Sequence, residues 1–202
     1  VSIRILIVDD HAYLRKTLRV LLARQPDMQV VGEAASGKEA IRCCQELMPD
    51  VATIDVHMPV MNGVATTQRI RSQFPSIQAL GVSSDMQPVF IERMLAAGAS
   101  GYVLKDFLYE ELPLAVRAIA RGRAFLGRLV VDELLPAANN VEPPFVEGEL
   151  AVLRRLVQGK DKKQIGQDLA LTPELLERTL RSARNKAADS TIGELVNRIR
   201  IE

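Results

Sequence analysis

Ile3-Arg4-Ile5-Leu6-Ile7-Val8-Asp9-Asp10 decides the fold: an apolar, β-branched run of strand length closes on two adjacent carboxylates. Four further runs share its character, at Gln29 to Ala34, Val51 to Asp55, Ala79 to Ser83 and Gly101 to Leu104. Between and after them, Leu14 to Ala23, Lys38 to Leu47, Val64 to Gln73, Val89 to Ala97 and Glu111 to Ala120 carry apolar residues at helical spacing. This alternation predicts an α/β domain of (βα)5 form, a mostly parallel sheet covered by helices on both faces. In such sheets ligands sit at the carboxyl ends of the strands, beside a switch point in the strand order.

With 202 residues, the length favours one domain of about 120 residues and a smaller companion. Charged residues make up 25% and hydrophobic ones 48%, and the mean hydropathy is +0.06, which excludes a disordered or collagen-like chain. A net charge of +1 gives no global attraction to nucleic acid or an anionic membrane, so any such surface is local. Cys43 and Cys44 are neighbours in a helical stretch, where a disulfide between them is strained out, and they point to a reducing compartment. No run reaches the ~18 apolar residues of a membrane span and no leader pattern precedes Ile3, so a cytoplasmic protein without a membrane partner is expected.

From Gly122 the pattern changes. Arg123-Ala124-Phe125-Leu126-Gly127 leads to a short helical candidate, Leu129 to Leu135, and then to the breakers Pro136, Asn139-Asn140 and Pro143-Pro144. The expected division is a first domain at 1–122, a linker at 123–145 and an all-α second domain at 146–202. Helices are expected there at Glu149 to Gln158, Lys162 to Ala170, Pro173 to Ala188 and Ile192 to Ile199. The chain up to Phe145 holds 15 basic and 16 acidic residues, and the remainder 11 and 9, so the second part carries +2. That sign suits a nucleic-acid module, in small measure.

Strand one ends in Asp9-Asp10 and strand three in Asp55, placing three carboxylates at one edge of the sheet. Three gathered anions raise one another's pKa unless a cation neutralises them, and a hard divalent ion such as Mg²⁺ answers that need with carboxylate, carbonyl and water ligands. Strand four ends in Ser83-Ser84 and strand five is followed by Lys105, so a hydroxyl and an ammonium reach the same edge. One carboxylate nucleophile, a metal and two oxygen-binding groups are the parts that acyl phosphate formation needs.

These residues resemble the receiver domain of bacterial two-component response regulators. The resemblance runs over residues 3 to 122, through Ile5-Leu6-Ile7-Val8-Asp9-Asp10-His11, Asp55-Val56-His57-Met58-Pro59-Val60-Met61-Asn62-Gly63, Ser83 and Gly101-Tyr102-Val103-Leu104-Lys105-Asp106, in order and spacing. It implies a flavodoxin-like doubly wound fold in which Asp55 accepts phosphoryl from a sensor histidine kinase. By the same resemblance Asp9, Asp10 and Asp55 organise Mg²⁺ with the backbone carbonyl of His57, Lys105 and Ser83 bind the phosphoryl oxygens, and Tyr102 changes rotamer on activation. The His57 ring itself reads as a surface group, Met58, Pro59 and Met61 as loop packing, and Asn62-Gly63 as a turn.

Glu149-Leu150-Ala151-Val152-Leu153 through Gly159, Lys163-Gln164-Ile165-Gly166 and Leu169-Ala170-Leu171-Thr172 resemble the LuxR-like helix-turn-helix of NarL/FixJ-type regulators. Thr172-Pro173 is a hydroxyl N-cap followed by proline, a strong helix start. The helix beginning there is the expected recognition helix, with Arg178, Arg181, Arg184 and Lys186 as DNA contacts, the first two reaching deepest. The sequence departs from the family in having Val146, Gly148 and Ala151 in the first helix and Leu175, Leu176, Glu177 and Thr179 in the recognition helix. Glu174 suits the helix dipole, whereas Glu177 opposes phosphate contact.

Two functions follow. The first is a non-enzymatic regulator that dimerises on phosphorylation and binds double-stranded DNA, its only chemistry being Mg²⁺-dependent self-phosphorylation and slow self-dephosphorylation. The second is a receiver-gated module whose divergent helix-turn-helix contacts a protein. A stand-alone metal-dependent phosphatase is disfavoured, since no substrate-pocket motif or second metal cluster is present.

Overall fold

The computed structural model describes residues 2–134, 145–187 and 195. Its sheet contains β1 (Ile3–Val8), β2 (Met28–Ala34), β3 (Val51–Asp55), β4 (Gln78–Ser83), β5 (Gly101–Leu104) and β6 (Phe125–Leu126), in the order β2-β1-β3-β4-β5-β6 with every pair parallel. The first five strands in the order 2-1-3-4-5 make the flavodoxin-like doubly wound arrangement. The connecting helices are α1 (Ala12–Ala23), α2 (Gly37–Leu47), α3 (Gly63–Gln73), α4 (Pro88–Ala96) and α5 (Leu108–Ala120).

Alternation along the strands sorts the core into layers. Ile5 and Ile7 of β1, Val51 of β3 and Leu80 and Val82 of β4 pack with Leu18, Leu21 and Leu22 of α1 and with Leu112, Val116 and Ile119 of α5. Leu6, Val8, Ala52 and Ile54 face the other way, onto Ala40, Cys43 and Cys44 of α2 and Ile70 of α3. Both cysteines are free and buried, and burial pushes their thiols up, that of Cys44 to about 12. They act as small apolar residues.

The stretch expected as linker begins with structure. Phe125–Leu126 pairs with Gly101–Tyr102 of β5, and α6 (Arg128–Leu134) follows, laying Val130 and Val131 against the cluster that contains Ile91, Met94 and Leu95 of α4. The breakers between Pro136 and Pro144 lie outside the described residues, as does the helix expected at 192–199 except for buried, helical Leu195.

The C-terminal unit consists, in its described residues, of α7 (Glu147–Val157), α8 (Lys162–Leu169) and α9 (Pro173–Ala187). Val152, Leu153, Leu156 and Val157 of α7 belong to the same apolar cluster as Ala124, Leu126, Val130 and Val131, so one core crosses from the sheet into the helical unit. So short a unit buries too little surface to be secure alone, and each of these side chains adds about 1.5–3 kcal/mol when fully covered. The approach is close at Gly159, whose φ is +80° and where a Cβ would lie 2.7 Å from Ala118 Cβ and 3.3 Å from the Ala124 carbonyl oxygen. Arg123 fastens the same place, donating to the Gly159 carbonyl at 3.3 Å and pairing with Asp161, while Arg154 of α7 meets Asp132 of α6 at 2.5 Å.

Val146 at the start of α7 has no side-chain acceptor, so only the return half of a reciprocal cap forms: Glu149 Oε2 accepts the Val146 N–H at 2.9 Å. Glu149 is 4% exposed, accepts the Ser182 hydroxyl at 2.6 Å and pairs with Lys186 at 2.8 Å, joining α7 to α9. Burial pushes its carboxyl up, but Lys186, Ser182 and the Val146 N–H outweigh this and hold it below the ordinary 4.5. A depressed folded value means stability that is present above about pH 4.5 and lost as the pH falls through that folded value. Thermal unfolding followed by circular dichroism is expected to show Glu149→Ala about 2 kcal/mol less stable near neutral pH. The gap should narrow as the pH falls from about 4.5 through the lowered folded value, where the wild-type carboxyl takes up its proton.

Candidate functional site

The switch point lies between β1 and β3, from which neighbouring crossovers run to opposite sides, and the carboxyl ends of both strands carry acid. Asp55 is the last residue of β3 and is 2% exposed; Asp9 follows β1 and is 1% exposed. Asp55 Oδ1 accepts the His57 N–H at 3.2 Å and Asp9 Oδ1 the His11 N–H at 2.8 Å, so each carboxylate is oriented by its own loop. Lys105, directly after β5, reaches across and places Nζ 2.9 Å from Asp55 Oδ2 and 3.0 Å from Asp9 Oδ2. Asp10 is the more open of the pair and stands 3.1 Å from His11 Nδ1.

Burial pushes the Asp55 carboxyl up; Lys105 pulls it back, Asp9 adds to the rise, and the net direction is upward. Burial alone would lower Lys105, but Asp55 and Asp9 raise it above its ordinary value, so its ammonium is secure. Asp9 Oδ2 and Asp55 Oδ2 nonetheless share one ammonium, and Asp10 Oδ1 faces the His11 ring, so the buried carboxylate oxygens outnumber their donors. One ligand atom each from Asp9, Asp10, His11 and Asp55 lies within 4.8 Å of the others. Buried carboxylate oxygens in excess of donors are what a hard, oxygen-seeking divalent cation completes, and these residues fit one.

Ser83 ends β4 one register beyond Val82, the partner of Asp55, and is fully buried. Its Oγ accepts the Asp85 N–H at 2.9 Å, leaving the hydroxyl proton to donate. The Tyr102 ring is also fully buried; its hydroxyl donates to the Asp85 carbonyl at 2.8 Å, and burial, partly offset by Ser83, pushes that hydroxyl up to about 12. Ser83 and Tyr102 thus hold opposite ends of one residue, Asp85, whose carboxylate stands 3.6 Å from His57 Nε2. The half-exposed His57 ring meets Phe90 edge-on at 4.8 Å.

Residues expected only to make a turn have a closer part in the site. The Asn62 side chain caps α3 by accepting the Ala65 N–H at 2.9 Å, and Gly63 N–H donates to the Val56 carbonyl at 3.0 Å. A Cβ at Gly63 would lie 2.2 Å from the Asp55 carbonyl oxygen and 2.7 Å from Val56 Cα. Those neighbours are backbone, so glycine is required where the helix start meets Asp55. Spacing alone names the Asn-Gly turn without showing what it touches.

In the C-terminal unit the α8–α9 turn passes through Ala170 at φ 51°, and Thr172 Oγ1 accepts the Leu175 N–H at 3.3 Å. Leu176, Leu180 and Ala183 are buried, which turns Glu174, Arg178, Arg181 and Asn185 outward along one stripe of α9. Arg184 is half-buried beside that stripe. Lys186 departs from its expected place: five residues on from Arg181 puts it toward α7, where it is tied to Glu149. Glu177, expected to oppose phosphate, has a partner in Lys162 of α8 at 2.6 Å, which holds its carboxyl below the ordinary value. Among the described residues no helix is long and apolar enough to cross a membrane.

The chain matches the model of the response regulator receiver domain over residues 5–117. It is 32% identical over 176 residues to the transcriptional regulatory protein LiaR of Bacillus subtilis, an alignment covering 84% of this chain and 83% of the relative. The response regulator GacA of Pseudomonas viridiflava is also 32% identical, over 180 residues, with 85% and 83% covered. Among solved structures, a LuxR-family two-component response regulator from an Aurantimonas species superposes with a TM-score of 0.64 at 34% identity, over 66% of this chain and 95% of that one. The RcsB response regulator of Salmonella typhimurium superposes with a TM-score of 0.63 over 97% of this chain and 98% of that one; at 24% identity this likeness bears on the fold.

Gly63→Ala is expected to displace the Asp55 backbone, lowering stability by about 1–3 kcal/mol and phosphoryl incorporation from a small donor more than proportionately. Thermal unfolding and radiolabelling of the same preparation measure the two effects.

Proposed function

The chain belongs to the response-regulator family, and on that premise we propose that it takes a phosphoryl group onto Asp55 from a sensor histidine kinase and, as a homodimer, binds double-stranded DNA to regulate transcription. The observation that carries the reading is the gathering of buried Asp9 and Asp55 around the single Lys105 ammonium at the sheet's switch point, with partly exposed Asp10 beside them, so that three acids meet one ammonium. Such an arrangement is expensive to bury and is explained by a ligand that neutralises it.

In the proposed step an Asp55 oxygen attacks phosphorus, the bond from phosphorus to the donor's leaving nitrogen or oxygen breaks, and an acyl phosphate forms. The His57 N–H holds the carboxylate in place. Lys105 follows the charge onto the phosphoryl group, and the Ser83 hydroxyl donates to a second oxygen. Bound by Asp9, Asp10, Asp55 and the His57 carbonyl, Mg²⁺ supplies the positive charge that lets a phosphoryl group approach three anions. The same groups serve water in slow self-dephosphorylation, and no other substrate is part of the reading.

Drawing Ser83 toward the phosphoryl group loosens its hold on Asp85, and Tyr102 changes rotamer in response. The dimer surface proposed around α4, β5 and α5 is biased through that movement; turning a mostly-off equilibrium mostly on takes roughly 5 kcal/mol. We place the receiver unit at residues 1–122 with β6 and α6 appended, and the output unit at 146–202. Arg178 and Arg181 are the proposed DNA contacts, with Arg184 beside them, and Lys186 serves the fold. The pairing of Glu177 with Lys162 favours DNA over the protein-contact reading, because it removes an unpartnered acid from that face.

Asp55→Asn is expected to abolish Mg²⁺-dependent labelling by acetyl phosphate, and the label on the wild type should be acid-labile as an acyl phosphate is. Binding to duplex DNA across a salt series should fall steeply with salt, and Arg178→Ala or Arg181→Ala should each reduce the log–log slope by about 1. A flat slope unchanged in both variants supports the protein-contact reading instead.

A further inference from the structure

Asp9 and Asp10 are neighbours in sequence, so the peptide joining them decides whether both carboxylates face one point. That peptide lies in the turn from β1 into α1, whose N-cap residue His11 makes no side-chain cap and whose first turn holds no acid. The turn is held from further along the helix. Arg15 reaches back along α1, and a single nitrogen, Nη1, donates to the carbonyl oxygens of Asp9 at 2.8 Å and Asp10 at 3.2 Å. Its side chain is 17% exposed, and its Nε lies 3.4 Å from Glu33 Oε2 at the end of β2. Glu33 in turn pairs with Arg19, one helical turn beyond Arg15.

We propose that Arg15 is a positioning residue for the acidic pair: clamped by Glu33, it fixes the two carbonyls that precede α1 and so aims the Asp9 and Asp10 carboxylates at a common divalent cation. The inference rests on the reading of Asp9 and Asp10 as cation ligands. The ion pair recorded for Arg15 is with Glu33. Its charge is therefore placed beside the cluster without itself taking up either carboxylate. Outer groups that orient ligands in this way commonly change metal affinity by tenfold or more.

The test uses the full chain and Mg²⁺ alone as the probe. Two quantities are measured: the rise in thermal midpoint with increasing Mg²⁺, and the Mg²⁺ concentration giving half-maximal labelling by acetyl phosphate. Arg15→Gln is expected to raise the half-saturating Mg²⁺ about tenfold in both. Arg19→Gln shares the Glu33 partner but touches neither carbonyl, and it should leave both near wild type. Should Arg15→Gln fold poorly, Glu33→Gln unseats the far edge of the guanidinium and should shift both readings the same way, by less. An unchanged Mg²⁺ response in Arg15→Gln, or an equal shift in Arg19→Gln, overturns the proposal while leaving the acceptor reading intact. A wild type indifferent to Mg²⁺ in both measurements overturns the two together.

Discussion

Three carboxylates and one ammonium at the end of a parallel sheet constrain the rest of this molecule. Asp9 and Asp55 are buried as deeply as the aliphatic core, with Lys105 shared between them. Removing charges from water costs several kcal/mol each, and one cation against three acids does not restore it. The doubly wound topology supplies the means of holding them. Strands β1 and β3 present their ends side by side and β5 its end one strand further along, beyond β4, each locked by ladders on both edges, so the acids are kept together by a frame that cannot relax around them. The loops then fit that geometry: Gly63 has no side chain because the Asp55 backbone fills the space, and the His11 and His57 amides each orient a carboxylate.

The alternation of apolar runs made the (βα)5 frame legible because β3, β4, β5 and most of β1 are buried on both faces while each helix is buried on one, so their periods differ. Asp9, Asp10, Asp55, Ser83 and Lys105 were legible as a group because strand ends in such a sheet share an edge. Phe125–Leu126 was not, since two residues carry no period and their strand exists only through hydrogen bonds lent by β5. Gly63 and Arg15 were silent for a related reason: what they do depends on which backbone atoms approach them in space. Lys186 misled because three arginines at three-residue spacing suggest a stripe, whereas the buried Glu149 behind it draws the next cation inward.

The output unit answers the absence of several family residues with local pairings of its own. The Val146 side chain cannot accept a capping hydrogen bond at the start of α7, yet Glu149 takes the Val146 N–H and joins α7 to α9 as well. Glu177 introduces a negative charge beside the exposed arginines, yet Lys162 from the preceding helix stands against it. In both cases a carboxylate has a basic partner on another helix, and for Glu177, the acid that looks unfavourable in the sequence, that partner offsets its charge beside the arginine stripe.

The apolar seam running from α4 through α6 to α7 has an implication for how such chains are recombined. A linker between independent units can be cut and rejoined anywhere, but here Ala124, Leu126, Val130 and Val131 are shared property of both cores, and Gly159 fits against Ala118 without room for another atom. A chimera that exchanges output units at the end of α5 would expose that seam on one side and leave a mismatched surface on the other. The exchangeable module therefore begins after α6, and whatever output is grafted there must bring an α7 face shaped for the receiver it joins.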